Sequence, residues 1–233
     1  MAPVATGARL LSSQDVDAFV TALLRPTSEA ASQFVDQCFE RSISVETILM
    51  ELFAPAARRL GVFWEEDRAD FTDVTLAMCR LQDLLRAHSI LSSHGFYAPA
   101  PASRSPTILL SAVGGDQHLF GLLVVAEFFR RDGWQVWLEP SATLPVLEDI
   151  VRQDAFDVIG FSASTTISEN QLGAEIAALK AASLNQDVGV LVGGRGFDEL
   201  EGIATRVGAD IYAGDVTSGV QLARQLLANQ AAD

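Results

Sequence analysis

From residue 107 onward the sequence repeats one alternation five times: a short apolar run, then a longer amphipathic one. The short runs fall at 107–112, 135–138, 158–161, 188–192 and 210–213. Helical patterns fall between and after them, at 119–131, 144–153, 168–182, 197–207 and 217–229. Short runs that are apolar on both faces imply parallel strands covered by helices on each side. Right-handed crossovers and short connections favour a doubly wound order with its switch point at the first strand. Such sheets bind ligands outside the carboxyl ends of their strands, so the loops after each strand are the place to look for function.

The first part of the chain follows a different period. A helix start at Ser12-Ser13-Gln14-Asp15 precedes Val16, Phe19, Val20, Leu23 and Leu24 on one face, and Pro26 ends it. Thr27-Ser28-Glu29 opens a second helix with Ala31, Phe34, Val35, Cys38 and Phe39 inward. Ser44-Val45-Glu46 opens a third, running through Ile48, Leu49, Leu52, Phe53, Ala56 and Leu60 to about Trp64. Pro55 lies inside that pattern and predicts a kink. A charged loop at 65–70 leads to a fourth helix over 73–91, with Val74, Met78, Leu81, Leu84 and Leu85 on its apolar side. Helices of this length bury one another as a four-helix bundle. The Pro/Ala/Ser-rich stretch 92–106 reads as a semi-extended linker. The expected layout is a bundle at 1–91, a linker at 92–106 and an α/β domain at 107–233.

Composition excludes several function classes. With 49% hydrophobic residues in 233, a substantial core is expected. A formal net charge of -14 argues against direct nucleic-acid binding and against an anionic membrane surface. It is compatible with a basic protein partner. No signal stretch and no apolar run of membrane length is present, so a soluble cytoplasmic protein is expected. Cys38 and Cys79 sit in separate helical patterns, which fits a reducing compartment and helix burial.

The loop after the first strand reads Asp116-Gln117-His118-Leu119-Phe120-Gly121. A loop His with an Asp two residues before it has one chemical use: one imidazole nitrogen binds a metal while the other donates to the carboxylate. Gly121 lets backbone approach a bulky ligand. The competing reading makes Asp116 a helix cap and His118 an ordinary loop residue. After the third strand comes Ser162-Ala163-Ser164-Thr165-Thr166, after the fourth Gly193-Gly194-Arg195-Gly196, and after the fifth Ala213-Gly214-Asp215. Small hydroxyl residues beside paired glycines make a slot for a polar ligand tail.

Taken together, Asp-x-His-x-x-Gly, Ser-x-Ser and Gly-Gly at these spacings resemble the cobalamin-binding domain family over 107 to about 230. The resemblance implies a five-stranded Rossmann-like (flavodoxin-like) cobalamin-binding domain behind a helical bundle that caps the cofactor's upper face. It implies that His118 ligates cobalt from below, with Asp116 as its hydrogen-bond acceptor. It implies that Ser162, Ser164, Gly193 and Gly194, with Thr165 and Gly214 beside them, line the slot for the displaced nucleotide tail. Light-sensing members cover the upper face with a Trp followed roughly ten residues on by Glu-His. Here Trp64 is present, but Val74 and Thr75 stand where the pair would be, so an upper ligand of that kind is missing. Phe63, Trp64 and Val74 remain as candidate walls of an apolar upper pocket, with core packing as the alternative for Phe63 and Trp64.

The stretch from Trp64 to Thr75, with Arg80-Leu81-Gln82, is similar to the AerR/PpaA group of cobalamin-binding antirepressors. Those proteins act on photosynthesis genes through a DNA-binding repressor of the CrtJ/PpsR type. The resemblance implies a non-enzymatic, light-responsive regulator holding adenosylcobalamin or aquo/hydroxocobalamin. A corrinoid methyl carrier and a haem-based redox sensor on the same scaffold are the alternatives. No basic region or helix-turn-helix is visible, so an effect on DNA must pass through another protein. His88 and His94 are read as a helix-terminus and a solvent residue, Arg58, Arg59 and Arg80 as partners of nearby acids, and Asp67 and Asp70 as loop charges.

Overall fold

Five apolar runs become strands; the central three bury residues on both faces, and the two edge runs bury mainly one. In the computed structural model, which describes residues 11–89, 105–114, 119–165, 167–198 and 200–230, they form one parallel sheet. The strands are β1 (Thr107–Ala112), β2 (Gln135–Leu138), β3 (Val158–Ser162), β4 (Gly189–Gly193) and β5 (Ile211–Ala213), in the order β2-β1-β3-β4-β5. Successive side chains alternate faces. Ile108, Leu110, Val158, Leu191 and Ile211 join one core, and Leu109, Ile159, Phe161, Val190 and Val192 the other.

The helices that follow the strands take one face or the other. Call those after β1 to β5 α6 (Phe120–Arg131), α7 (Leu144–Gln153), α8 (Glu169–Ala182), α9 (Ile203–Val207) and α10 (Val216–Gln230). Leu122, Ala126 and Phe129 of α6 and Val220 and Ala223 of α10 complete the first core. Leu147 and Val151 of α7, Leu172, Ile176 and Leu179 of α8, and Ile203 and Val207 of α9 complete the second. The chain leaves β1 outward to β2 and then returns to β3 on the other side. The switch point therefore lies between β1 and β3, as the alternation predicts.

Side chains set the strand registers. Thr107 backbone N–H and hydroxyl both donate to the Asp157 carboxylate, at 2.7 and 2.9 Å, clamping the start of β1 to β3. The Asp210 carboxylate accepts from Val190 N–H at 2.8 Å and from Lys180 at 2.9 Å, tying β5 to β4 and α8. The helix expected over 197–207 is shorter. A 3₁₀ turn (Arg195–Phe197) comes first, and Gly202, at φ 68, delays the α-helix to Ile203.

The chain divides into two compact units, Met1–Phe96 and Tyr97–Asp233. The first contains α1 (Ser13–Leu23), α2 (Glu29–Glu40), α3 (Val45–Thr47), α4 (Ala54–Glu65) and α5 (Phe71–Ala87). Ser12 and Asp15 cap each other's backbone at the start of α1, a reciprocal pair that satisfies two otherwise unpaired N–H groups. Phe19 stacks on Phe53 at 5.5 Å, with rings 2° from parallel.

Ahead of Pro55, where a kink is predicted, the helix carries a π-helical run, Ile48–Phe53, with Ala54 N–H donating five residues back to Leu49. Pro55 has no N–H for Glu51, and a wider turn ahead of it accommodates that loss. The fourth helix begins at Phe71, earlier than expected, because Asp70 accepts from Asp73 N–H at 2.7 Å; Asp70 is an N-cap and not a free loop charge. Arg80 donates to the carbonyls of Leu23 and Pro26, at 2.7 and 3.1 Å, closing α1 where an acid was expected. Cys79 is exposed, not buried like Cys38, because the apolar side of α5 is Ala77, Leu81, Leu84 and Leu85. Arg59 does pair with an acid, Asp17, at 2.8 Å. His94 and nearly all of the linker at 92–106 lie outside the described residues.

Candidate functional site

The carboxyl ends of four strands form a single row. Ala112 pairs with Ser162, Ser162 with Gly193, and Gly193 with Ala213. The ladder continues past the strand ends: Val113 N–H donates to Ser162 carbonyl at 2.9 Å, and Ala163 N–H to Gly193 carbonyl at 3.1 Å. Gly196 N–H then donates to Ala163 carbonyl at 3.0 Å. The β3 and β4 loops are thus joined backbone to backbone.

That zipper explains the glycines. A Cβ at Gly193 would stand 2.8 Å from the Ala213 carbonyl oxygen. One at Gly194, where φ is +100, would stand 2.5 Å from the Ala163 carbonyl and 3.2 Å from the Ser162 hydroxyl. One at Gly196 would collide with the Thr165 carbonyl. Only side-chain-free residues permit this approach. Gly121 and Gly214 differ: a Cβ at Gly121 meets nothing within 4 Å, and at Gly214 only the Tyr212 hydroxyl at 3.7 Å. The space over Gly121 is open, and Gly214 makes only an ordinary contact.

Around that floor stand the Ser162 hydroxyl, the exposed Ser164 and Thr165, and the exposed Arg195. No side-chain hydrogen bond engages the Ser162 hydroxyl among the described residues. Asp215, just past Gly214, accepts from Ser218 N–H at 2.9 Å; this bond holds its carboxyl below the usual range and caps α10. The Tyr212 hydroxyl donates to Asp198 at 3.4 Å, and burial with the Asp198 charge pushes its pKa up. Hydroxyls, bare backbone and one guanidinium suit a large ligand with amide and phosphodiester groups, so the edge fits a corrinoid tail.

The structure brings Ser162, Ser164, Thr165, Gly193 and Gly194 onto this edge, with Gly214 after β5 and Gly121 in the first turn of α6. Asp116 and His118 lie outside the described residues. Among the described residues no group of three His, Cys, Asp or Glu could hold a metal ion. Phe63, Trp64 and Val74 belong to the helical unit, at the corner between α4 and α5. Phe63 carbonyl accepts from Arg68 and Ala69 N–H at 2.8 and 3.2 Å, and the Arg68 guanidinium lies 3.8 Å over the Phe63 ring. Trp64 is 55% exposed, so it is not core. Val74 is half-buried on the first turn of α5. Sequence reasoning assigned no role to Gly196 and Arg195; spacing alone does not reveal that two loops touch.

Fold and edge together define a class: a helical unit followed in the chain by a doubly wound α/β domain with a hydroxyl-bearing, glycine-floored carboxyl edge. Residues 106–222 match the B12 binding domain model, and residues 16–87 match a second B12 binding domain model. The chain belongs to the B12-binding domain family, and cobalamin is its cofactor. It is 27% identical over 175 residues to an uncharacterized 20.5 kDa protein in the bchF-crtJ intergenic region of Rhodobacter capsulatus, covering 75% of this chain and 89% of that protein. It is also 27% identical over 183 residues to the dimethylamine corrinoid protein of Methanosarcina barkeri, covering 78% of this chain and 83% of that one. The monomethylamine corrinoid protein of Methanosarcina barkeri has a similar fold, with a TM-score of 0.68 at 14% identity over 93% of this chain and all of that one.

Proposed function

We propose that this protein is a light-responsive, cobalamin-dependent regulator that binds a DNA-binding repressor of the CrtJ/PpsR type and relieves its action. The observation that carries the cofactor half is the zippered Ser162–Gly193 edge in a chain of this family. His118 would ligate the cobalt with Asp116 orienting its imidazole, and the Ser162, Ser164, Gly193 and Gly194 edge would receive the tail. Cobalamin, when bound, would supply a cobalt centre with a light-sensitive cobalt–carbon bond.

The regulatory half is supported by the 64–75 stretch and by the Rhodobacter capsulatus relative, whose name places it beside crtJ. An acidic chain with no visible DNA-reading element acts on transcription through a partner. Mixing the protein with adenosylcobalamin or hydroxocobalamin in dark and light, then titrating a CrtJ/PpsR-type repressor, tests the switch. Repressor affinity is expected to change with cofactor state; affinity indifferent to both cofactor and light overturns it.

A second reading, a methyl-carrying corrinoid protein, is favoured by the Methanosarcina barkeri dimethylamine corrinoid relative. Methyl transfer from a methylamine-specific methyltransferase to the bound corrinoid separates the two readings.

A further inference from the structure

Arg195 sits between two glycines pressed onto the β3 loop. Gly194 closes on the Ala163 carbonyl and the Ser162 hydroxyl, and Gly196 N–H donates to Ala163 at 3.0 Å. The backbone is therefore fixed on both sides of an exposed side chain. No ion pair or side-chain hydrogen bond engages the Arg195 guanidinium among the described residues. That sets it apart from most of the other described cations of its unit. Arg131, Arg152, Lys180, Arg206 and Arg224 of the same unit each hold a carboxylate at 3.0 Å or less.

Position adds to the contrast. The stretches joining strand ends to the following α-helices are 113–119, 139–143, 163–168, 194–202 and 214–215. Arg195 is the single Lys or Arg in all of them by sequence, while acids occur at Asp116, Glu139, Asp198, Glu199, Glu201 and Asp215. A guanidinium with no acid partner among the described residues is available to an anion brought by the ligand. Its planar fork matches two oxygens of a phosphate. Cobalamin carries one such anion, the phosphodiester of its nucleotide tail, while the periphery of its ring is neutral amide.

We propose that Arg195, beside the Ser162 hydroxyl and the Gly194 backbone, recognises the tail phosphodiester and so selects corrinoids whose tail is complete. This rests on the cobalamin reading above. The test measures binding of cobalamin, cobinamide phosphate and cobinamide to the wild-type chain, Arg195→Ala and Arg195→Lys by spectral titration. Circular dichroism checks that the variants fold.

Arg195→Ala is expected to weaken cobalamin and cobinamide phosphate about five- to tenfold and to leave cobinamide unchanged, with Arg195→Lys in between. Equal loss for all three ligands, loss for cobalamin alone, or no loss overturns the assignment of Arg195. A wild-type chain that binds none of the three overturns the cofactor reading itself, and this inference with it.

Discussion

Gly194 and Gly121 are both glycines of the ligand edge, yet they answer to opposite constraints. Gly194 has φ +100 and no room for a Cβ beside the Ala163 carbonyl. Gly194→Ala is expected to cost about 2–4 kcal/mol, read by chemical denaturation of the cofactor-free chain. Nothing stands within 4 Å of a Cβ at Gly121. Gly121→Ala is expected to leave that stability within about 1 kcal/mol of wild type, or to raise it. It should still lower cobalamin affinity about tenfold, because the methyl group enters the space open to the ligand. The spacing of small residues marked loops that the structure sets side by side on one edge. It did not separate glycines needed by loop packing from glycines that leave room, since that distinction depends on where a second loop runs.

His88 shows the same limit. It was read as a helix-terminus residue, and it is the C-cap of α5, but its ring also packs 4.9 Å from Phe39 beside an apolar hollow lined by Val35, Phe53 and Leu85. Burial lowers its pKa below the ordinary histidine value, and the Asp36 charge opposes that shift only in part. The unfolded chain then binds the proton more readily than the folded one. The stability from neutral His88 is complete above the unfolded value of 6.5 and is lost as pH falls from there through the folded value. An NMR titration is expected to place the His88 pKa below 6.5. A value at or above it contradicts this account of the ring's surroundings.

Among the elements, the strands were the most legible. Runs such as Ile108-Leu109-Leu110 are apolar on both faces and bounded by turn residues, and no helix of so few residues competes. The π-helical run was not legible. Ile48, Leu49, Leu52 and Phe53 fit an α-helical stripe equally well, and only Pro55 hinted at a break. All four are buried, and Phe53 stacks on Phe19. Phe53→Ala is expected to destabilise the protein by about 3–5 kcal/mol in urea denaturation. A loss under about 1 kcal/mol would mean that the wide turn does not anchor its side chains as the structure has them.

At the scale of the whole molecule, cofactor binding couples to folding. A ligand that binds only the folded chain, at about a hundred times its Kd, stabilises it by about 2.7 kcal/mol. Thermal melts with and without hydroxocobalamin are expected to differ accordingly. The two-unit order was legible because the hydrophobic period changes along the chain. The partner was not, because composition reports only a net charge of -14 and the absence of a basic patch in the sequence.

Ligation of cobalt by His118 is the step on which the proposed cofactor binding turns. The most direct measurement is the dark absorption spectrum of the purified chain with hydroxocobalamin, wild type beside His118→Ala. Wild type is expected to retain the corrinoid through gel filtration with a spectrum shifted by imidazole ligation, and His118→Ala to lose the shift and bind more weakly. Identical spectra and equal retention in the two proteins would contradict the claim.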